Sequence, residues 1–382
     1  MHSIADDLPM IYYATYSILN PSKFSIASIA TLQQSSALIR GSFDYMQWLV
    51  QRFRSHILEV KRLYALEQIE PTVKEGVLPY PPQESEKPRG MSFDLKDVSF
   101  SYPTTKTKEP ALKDISCSIK SGQMVVIVGA NGSGKSTLIK LLNRLYDPTS
   151  GTIMVDGNEI SSYRLEDYRS SVATLTQDHT IFGINIGENI GLGHTDRVDD
   201  EALIMKAAGQ GGATEVIKKF KDGLATSLRP YNSAYGVHVS EYEDTPLGRA
   251  LKKMEKTVTV SGGEKQRIVA SRTFMRFESG RITFVAVDEP SSAMDPEAEF
   301  QLFKNLRSWR DGKTMIFVTH RFGHLTKHAD LILCMKEGTL VESGTHEQLM
   351  TLAGEYSKLY KIQAEAFEAP VPEPAKIDDS AI

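Results

Sequence analysis

The stretch Gly129-Ala130-Asn131-Gly132-Ser133-Gly134-Lys135-Ser136, followed by Thr137, fits the phosphate-binding pattern G-x-x-x-x-G-K-[ST] at every fixed position. It constrains the fold because its chemistry works between a strand and a helix. Upstream, residues 124–128 form a short apolar run rich in β-branched side chains, which reads as a buried strand. Downstream, residues 136–142 carry apolar side chains at helical spacing. Gly129, Gly132 and Gly134 let the backbone curl and turn its N–H groups inward as an anion nest. The helix opening near Lys135 adds the positive end of its dipole. There Lys135 would neutralise β- and γ-phosphate oxygens, and the Ser136 hydroxyl would ligate Mg²⁺. A Gly/Ser surface turn with a chance lysine is the plain alternative, and the flanking strand and helix speak against it.

A second apolar strand, Phe284-Val285-Ala286-Val287, ends in Asp288-Glu289. Asp288 would hold Mg²⁺ through its water shell, and Glu289 would orient or deprotonate an attacking water. An acidic pair closing an ordinary strand is common in isolation, but the phosphate loop in the same chain makes that the weaker reading. Between the two motifs, Val260-Ser261-Gly262-Gly263-Glu264-Lys265-Gln266-Arg267 opens a helix. Its hydroxyl and free backbone N–H groups again suit an anion, although Ser-Gly-Gly alone is usually a turn.

Strands and helices alternate around these motifs, which indicates an α/β core. Residues 91–100, 111–119 and 151–155 alternate apolar and polar, suggesting a small mixed or antiparallel sheet beside the loop. Further strands are expected at 171–175, 282–287, 314–318 and 331–335, with a helix-rich insertion over about 186–277. Ahead of the core, residues from about 8 to 69 look helical, broken at Asn20-Pro21-Ser22-Lys23. Phe43, Met46, Leu49, Val50, Phe53, Ile57, Val60 and Leu63 form an amphipathic stripe there. Two readings stay open for this arm: a soluble helical arm packing on the downstream domain, or the end of a membrane helix continuing into the cytoplasm. Residues 71–91, with Pro79, Pro81, Pro82 and Pro88, read as an extended, mobile linker, and residues 364–382 as a disordered tail.

The 382 residues suit one large domain with extensions, or two domains. A net charge of −4, from 44 basic and 48 acidic residues, offers no basic excess for nucleic acid, which is excluded as the main partner. Cys117 and Cys334 lie in apolar, strand-like runs and are expected as buried free thiols. No signal peptide is evident, and no apolar run reaches the roughly 18 residues of a membrane span.

Taken together, the motifs resemble the nucleotide-binding domain of ABC (ATP-binding cassette) ATPases, over residues 92–363 and in family order. The resemblance implies a P-loop NTPase (RecA-like) α/β core with an antiparallel β subdomain and an inserted α-helical subdomain, preceded by a helical N-terminal arm over residues 1–70. By resemblance, Tyr102 in Phe100-Ser101-Tyr102-Pro103 stacks on adenine, so the nucleotide is ATP. It joins Gly129, Asn131, Gly132, Ser133, Gly134, Lys135, Ser136 and Thr137 as a nucleotide contact. Gln177 touches Mg²⁺ or water and senses a transport partner. Ser261, Gly262, Gly263 and Glu264 form the family's signature loop, which caps the γ-phosphate bound by the opposite subunit. Ser292-Ala293-Met294-Asp295 is similar to the D-loop, and His320 resembles the switch histidine that contacts the γ-phosphate. The resemblance thus implies a catalytic set of Glu289, His320, Gln177 and Lys135, with Mg²⁺ held by Ser136, Gln177 and Asp288. Singly, Tyr102, Gln177 and His320 each have an ordinary structural explanation; their order and placement favour the functional one.

Residues 181–190 and 338–349 resemble exporter segments, and the arm-then-linker layout resembles the last membrane helix of a half-transporter entering its ATPase domain. The roughly 90 residues ahead of the cassette are too few for a full set of membrane helices at about 20 residues each. The expectation is an ATP hydrolase of exporter type that powers transmembrane transport. It would work as a homo- or heterodimer of cassettes with an integral-membrane partner, membrane-associated, its ATPase domain on the cytosolic side. The rivals are a soluble ABC ATPase remodelling a protein or nucleic-acid assembly, and a truncated regulatory nucleotide-binding subunit. Val260 and Glu264 stand where the family usually has leucine and glutamine, and Glu264 is expected to put a carboxylate near the partner's phosphates. Residues 229–259 are longer than the usual connection; their acidic cluster (Glu241, Glu243, Asp244) and basic cluster (Arg249, Lys252, Lys253, Lys256) read as a solvated loop and helix.

Overall fold

The computed structural model describes residues 4–23, 25–69, 71–81, 90–103, 109–176, 178, 180–228, 260–290, 294–319 and 325–368. The expectations for Gln177, His320, residues 229–259 and the Ser292-Ala293 part of the D-loop lie outside these. The chain divides into two units, Met1–Pro71 and Thr72–Ile382.

The first unit holds helices α1 (Ile4–Leu19) and α2 (Ile26–Glu67), joined through a short 3₁₀ turn at Pro21–Lys23. The break falls at the proline, which lacks the N–H that a continuing helix needs. Helix α2 runs for 42 residues and buries none of them. Phe43, Met46, Trp48 and Phe53, on or beside the apolar stripe, are all exposed. Among the described residues, no helix is long and apolar enough to cross a membrane.

The second unit is built on two sheets. Strands β1 (Phe93–Phe100), β2 (Leu112–Ile119), β4 (Ser150–Val155) and β5 (Asn158–Glu159) form an antiparallel sheet in the order β2-β1-β4-β5. Strands β3 (Met124–Val128), β6 (Val172–Leu175), β7 (Phe284–Asp288), β8 (Thr314–Val318), β9 (Leu331–Lys336) and β10 (Thr339–Gly344) form the other, ordered β10-β9-β3-β8-β7-β6. All pairs in it are parallel except β9 with β10. Strands β3, β7 and β8 are buried along their whole length, which is why they read as unbroken apolar runs rather than alternating ones.

Alternation along β3 splits the core. Val126 and Val128 pack into a layer shared with the helical insertion, whereas Val125 and Ile127 face a layer shared with the antiparallel sheet. Helices α3 (Lys135–Leu142) and α4 (Leu165–Ser170) belong to the central body. The insertion between β6 and β7 contains α5 (Ile186–Gly191), α6 (Glu201–Gly211), α7 (Thr214–Lys219) and α8 (Gly262–Phe277). Helices α9 (Pro296–Ser308), α10 (His346–Leu352) and α11 (Glu355–Glu368) complete the unit. This is the α/β P-loop architecture expected, and the sheet beside the loop is antiparallel.

Three local expectations change. Residues 72–81, part of the proline-rich stretch, are fastened to the cassette rather than extended through solvent. Val73 and Tyr80 are buried, and Tyr80 donates from its hydroxyl to Asp156 at 2.9 Å. The buried guanidinium of Arg144 donates to the carbonyl oxygens of Lys74, Ser161 and Tyr163 at 2.6, 2.9 and 2.5 Å. Helix α11 continues to Glu368, past the expected start of the tail, and residues 369–382 of that tail lie outside the described residues. Cys117 and Cys334 are free thiols, but only Cys334 is buried; Cys117 lies on β2, an edge strand.

Candidate functional site

Strand β8 lies between β3 and β7, and its Val318 is in register with Ile127 on one side and Asp288 on the other. The two motif-bearing strands therefore end level, at the carboxyl edge of a parallel sheet where such folds bind ligands. From β3 the chain turns through the loop into α3, whose N-cap is Gly134 at φ 99°. A Cβ on Gly134 would lie 2.7 Å from Leu112 and 2.9 Å from the Ala111 carbonyl oxygen, and one on Gly129, at φ 151°, 2.2 Å from Met335 O. Only glycine fits either place.

Lys135 is 5% exposed, and its Nζ donates to the carbonyl oxygens of Gly129 and Ala130, both at 2.9 Å. Burial lowers the lysine's pKa, and the carboxylates of Glu289 and Asp288 act in the opposite sense. The Ser133 hydroxyl is buried without a hydrogen-bond partner. Asn131, Gly132, Gly134, Lys135, Ser136, Thr137 and Ala111 line a cleft of about 440 Å³, and Glu289 lines it from the other strand.

Asp288 ends β7 at 9% exposure. Burial raises its pKa; the Ser136 hydrogen bond opposes this, and the charge of Glu289 adds to it. Its Oδ1 is buried without a partner. An orphaned carboxylate oxygen beside a serine hydroxyl is an all-oxygen pair of the kind Mg²⁺ takes. Glu289 sits at φ 47°, a conformation uncommon outside glycine, and its N–H bonds Val318 O at 3.0 Å. Backbone strain of this sort gathers at functional positions.

Tyr102 meets the loop helix from the antiparallel side. Its hydroxyl lies 3.1 Å from Thr137 Oγ1, and its ring stands edge-on to Phe100 and Tyr146 at 4.9 and 5.4 Å. Lys140 Nζ lies 5.4 Å from the centre of that ring.

Ser261, Gly262, Gly263 and Glu264 are not among the residues lining the cleft. They open α8 within the helical insertion, and Ser261 caps it. Ser261 Oγ accepts from Glu264 N at 3.3 Å, and Glu264 Oε2 accepts from Ser261 N at 2.7 Å. Lys219 Nζ donates to Glu264 Oε1 at 2.7 Å. The Glu264 carboxylate closes its own helix cap and is paired with Lys219. Asp295 is the N-cap of α9, accepting from Ala298 N at 2.8 Å, and pairs with Arg267 on α8 at 3.0 Å.

Sequence reasoning missed Lys219 and Arg272. Arg272 donates to Asn189 O, Asn189 Oδ1 and Thr180 O at 2.7, 2.9 and 3.2 Å and stacks over Phe182. It thereby ties α8 to the segment after β6. No motif marks these residues, because their partners are far away along the chain.

A glycine-rich loop level with an Asp-Glu pair at the edge of a parallel sheet defines a nucleotide-binding P-loop protein. Residues 112–292 match the ABC transporter family. The chain is similar to the mitochondrial iron-sulfur clusters transporter atm1 of Neurospora crassa, 29% identical over 365 residues, covering 93% of this chain and 45% of that protein. It is 34% identical over 270 residues to the putative multidrug export ATP-binding/permease protein YgaD of Bacillus subtilis (71% of this chain, 41% of the relative). It is 35% identical over 272 residues to the ATP-dependent lipid A-core flippase of Coxiella burnetii (71% and 41%). A solved bacterial Atm1-family ABC exporter with ATP bound shares the fold, with a TM-score of 0.64 at 24% identity over 90% of this chain and 53% of that one. The chain thus spans less than half the length of these named relatives. It carries an ABC transporter domain over residues 112–292, and the relatives that share it are named as a transporter, an export ATP-binding/permease protein and an ATP-dependent flippase.

Proposed function

We propose that this chain binds ATP with Mg²⁺, hydrolyses it in a site shared between two cassettes, and thereby powers movement of a substrate across a membrane. The observation that carries the reading is the cleft in which Lys135, Ser136 and Glu289 meet beside the orphaned Asp288 oxygen. On this reading Lys135 exchanges the carbonyl oxygens of Gly129 and Ala130 for β- and γ-phosphate oxygens. The N–H groups of the loop and the start of α3 hold the phosphates, and Tyr102 offers its ring to adenine. Ser136 and Asp288, with Gln177, would hold Mg²⁺, which when bound neutralises charge on the phosphates. Glu289 orients the attacking water and accepts its proton, and His320 contacts the γ-phosphate.

Ser261, Gly262 and Gly263 serve the triphosphate on a second cassette, because they lie in the insertion and not in this chain's own cleft. Homo- and heterodimers both satisfy that requirement. The domain organisation that goes with this reading is an arm over residues 1–70 and an ATPase domain ending near 363. An integral-membrane partner and a cytosol-facing ATPase domain follow from the exporter relationship. The relatives' names specify different cargoes, so the reading names none. The test is Glu289→Gln: the variant should bind ATP, lose turnover and accumulate a nucleotide-bound dimer on sizing. Hydrolysis at the parental rate would remove Glu289 from its role.

A further inference from the structure

Helix α8 opens on a turn suited to an anion, yet its third residue is acidic. A capping box is closed as well by neutral glutamine as by glutamate. The charge on Glu264 is therefore not needed for the cap, and it sits one helical turn from the groups that would face a triphosphate. The counter-charge comes from a different helix. Lys219, the last residue of α7, places Nζ 2.7 Å from Glu264 Oε1, while Oε2 accepts from Ser261 N at 2.7 Å. The neighbouring Lys218 is used differently, pairing with Glu215 within α7 at 2.9 Å. Glu264 is half-buried, with 18% of its side chain exposed, against 56% for Lys219.

We propose that Lys219 is a positioning residue for ATP turnover. By neutralising Glu264 and keeping its carboxylate on the Ser261 N–H, it leaves the turn at Ser261 to Gly263 able to face a triphosphate held by a second cassette. The proposal rests on the two-cassette ATPase reading above. Without Lys219, the Glu264 carboxylate opposes the incoming phosphates as a like charge, and closure of the dimer is weakened. Binding of ATP to the phosphate loop of the same chain does not depend on this pair.

The experiment measures kcat and KM for ATP on the full chain at about 50 mM and about 500 mM salt. Lys219→Met should lower kcat about tenfold at low salt. The deficit should shrink at high salt, where the repulsion is screened, and Lys219→Arg should preserve turnover. The double variant Lys219→Met/Glu264→Gln should recover most of the loss. A contribution of Lys219 through the packing of its aliphatic stem alone would respond neither to salt nor to removal of the Glu264 charge, and Lys219 is exposed enough that its truncation spares the fold. Parental kcat in Lys219→Met, or a double variant as slow as the single one, overturns the proposal while leaving the ATPase reading intact. A parent chain with no ATPase activity overturns both.

Discussion

Lys135 Nζ donates to the carbonyl oxygen of Gly129 at 2.9 Å, so the loop's cation is satisfied by the loop's own backbone. A buried ammonium is costly unless it is paired and hydrogen-bonded. Here the bonds to Gly129 and Ala130 and the nearby carboxylates of Asp288 and Glu289 supply that compensation. A triphosphate entering the cleft brings a stronger partner to the same donor. The loop is thus held in shape around its lysine before the anion arrives.

Lys135→Ala should therefore weaken ATP binding by about 100-fold or more, since charge-assisted bonds to two phosphates are lost. The fold should survive, because the buried strand before the loop and the helix after it are held by their own packing rather than by this side chain. Titration with a fluorescent ATP analogue, alongside a thermal melt, checks both. Parental affinity in this variant would show that the cleft is not where the phosphates bind.

Arg144 illustrates a different use of a buried cation. Its guanidinium joins Lys74, 70 positions earlier in the chain, to Ser161 and Tyr163 by carbonyl bonds. Arg144→Met should cost about 3 kcal/mol, because buried carbonyl oxygens lose their donor. Hydrogen exchange should quicken at Val77 and Leu78, whose N–H groups bond Ser162 O at 2.9 Å. Unchanged exchange there would mean that these residues are held by their own packing alone.

The Lys219–Glu264 pair also predicts how stability varies with pH. The Glu264 carboxyl is held below its ordinary value of 4.5, first by the Lys219 hydrogen bond and then by the Ser261 N–H, against the effect of burial. A lowered folded-state value means that the unfolded chain takes up this proton more readily. The stabilisation is therefore fully present above the ordinary value and is lost as the pH falls through the lowered one. Relative to Glu264→Gln, the parent should lose additional stability as the pH falls below the ordinary value of 4.5. Parallel stability profiles for the two proteins would contradict the assignment.

The phosphate loop and the Asp288-Glu289 pair were legible because their chemistry is contiguous: neighbouring residues supply the turn, the cation and the hydroxyl. The buried strands β3, β7 and β8 were legible for a related reason, since a strand covered on both faces cannot hide its apolar run. Partnerships across long separations were not legible. Lys219 and Glu264 are 45 positions apart, and no periodicity links them. The Glu264 charge was read without its counter-ion for that reason, since a charge in a signature turn says nothing of the cation another helix brings. Residues 72–81 of the proline-rich stretch misled in the same way: their composition suits a spacer, and the groups that fix them, Arg144, Asp156 and Ser162, lie elsewhere in the chain.

The central claim is that one chain provides the phosphate loop and another the Ser261 turn. Mixing two inactive chains tests it most directly, one carrying Lys135→Ala and the other Ser261→Arg. Each homodimer lacks a competent site, but a mixed dimer joins the intact loop of one chain to the intact turn of the other. Equal mixing should restore about a quarter of parental ATPase activity, half of the dimers being mixed with one working site in two. Activity no higher than the sum of the separate variants would contradict a shared site.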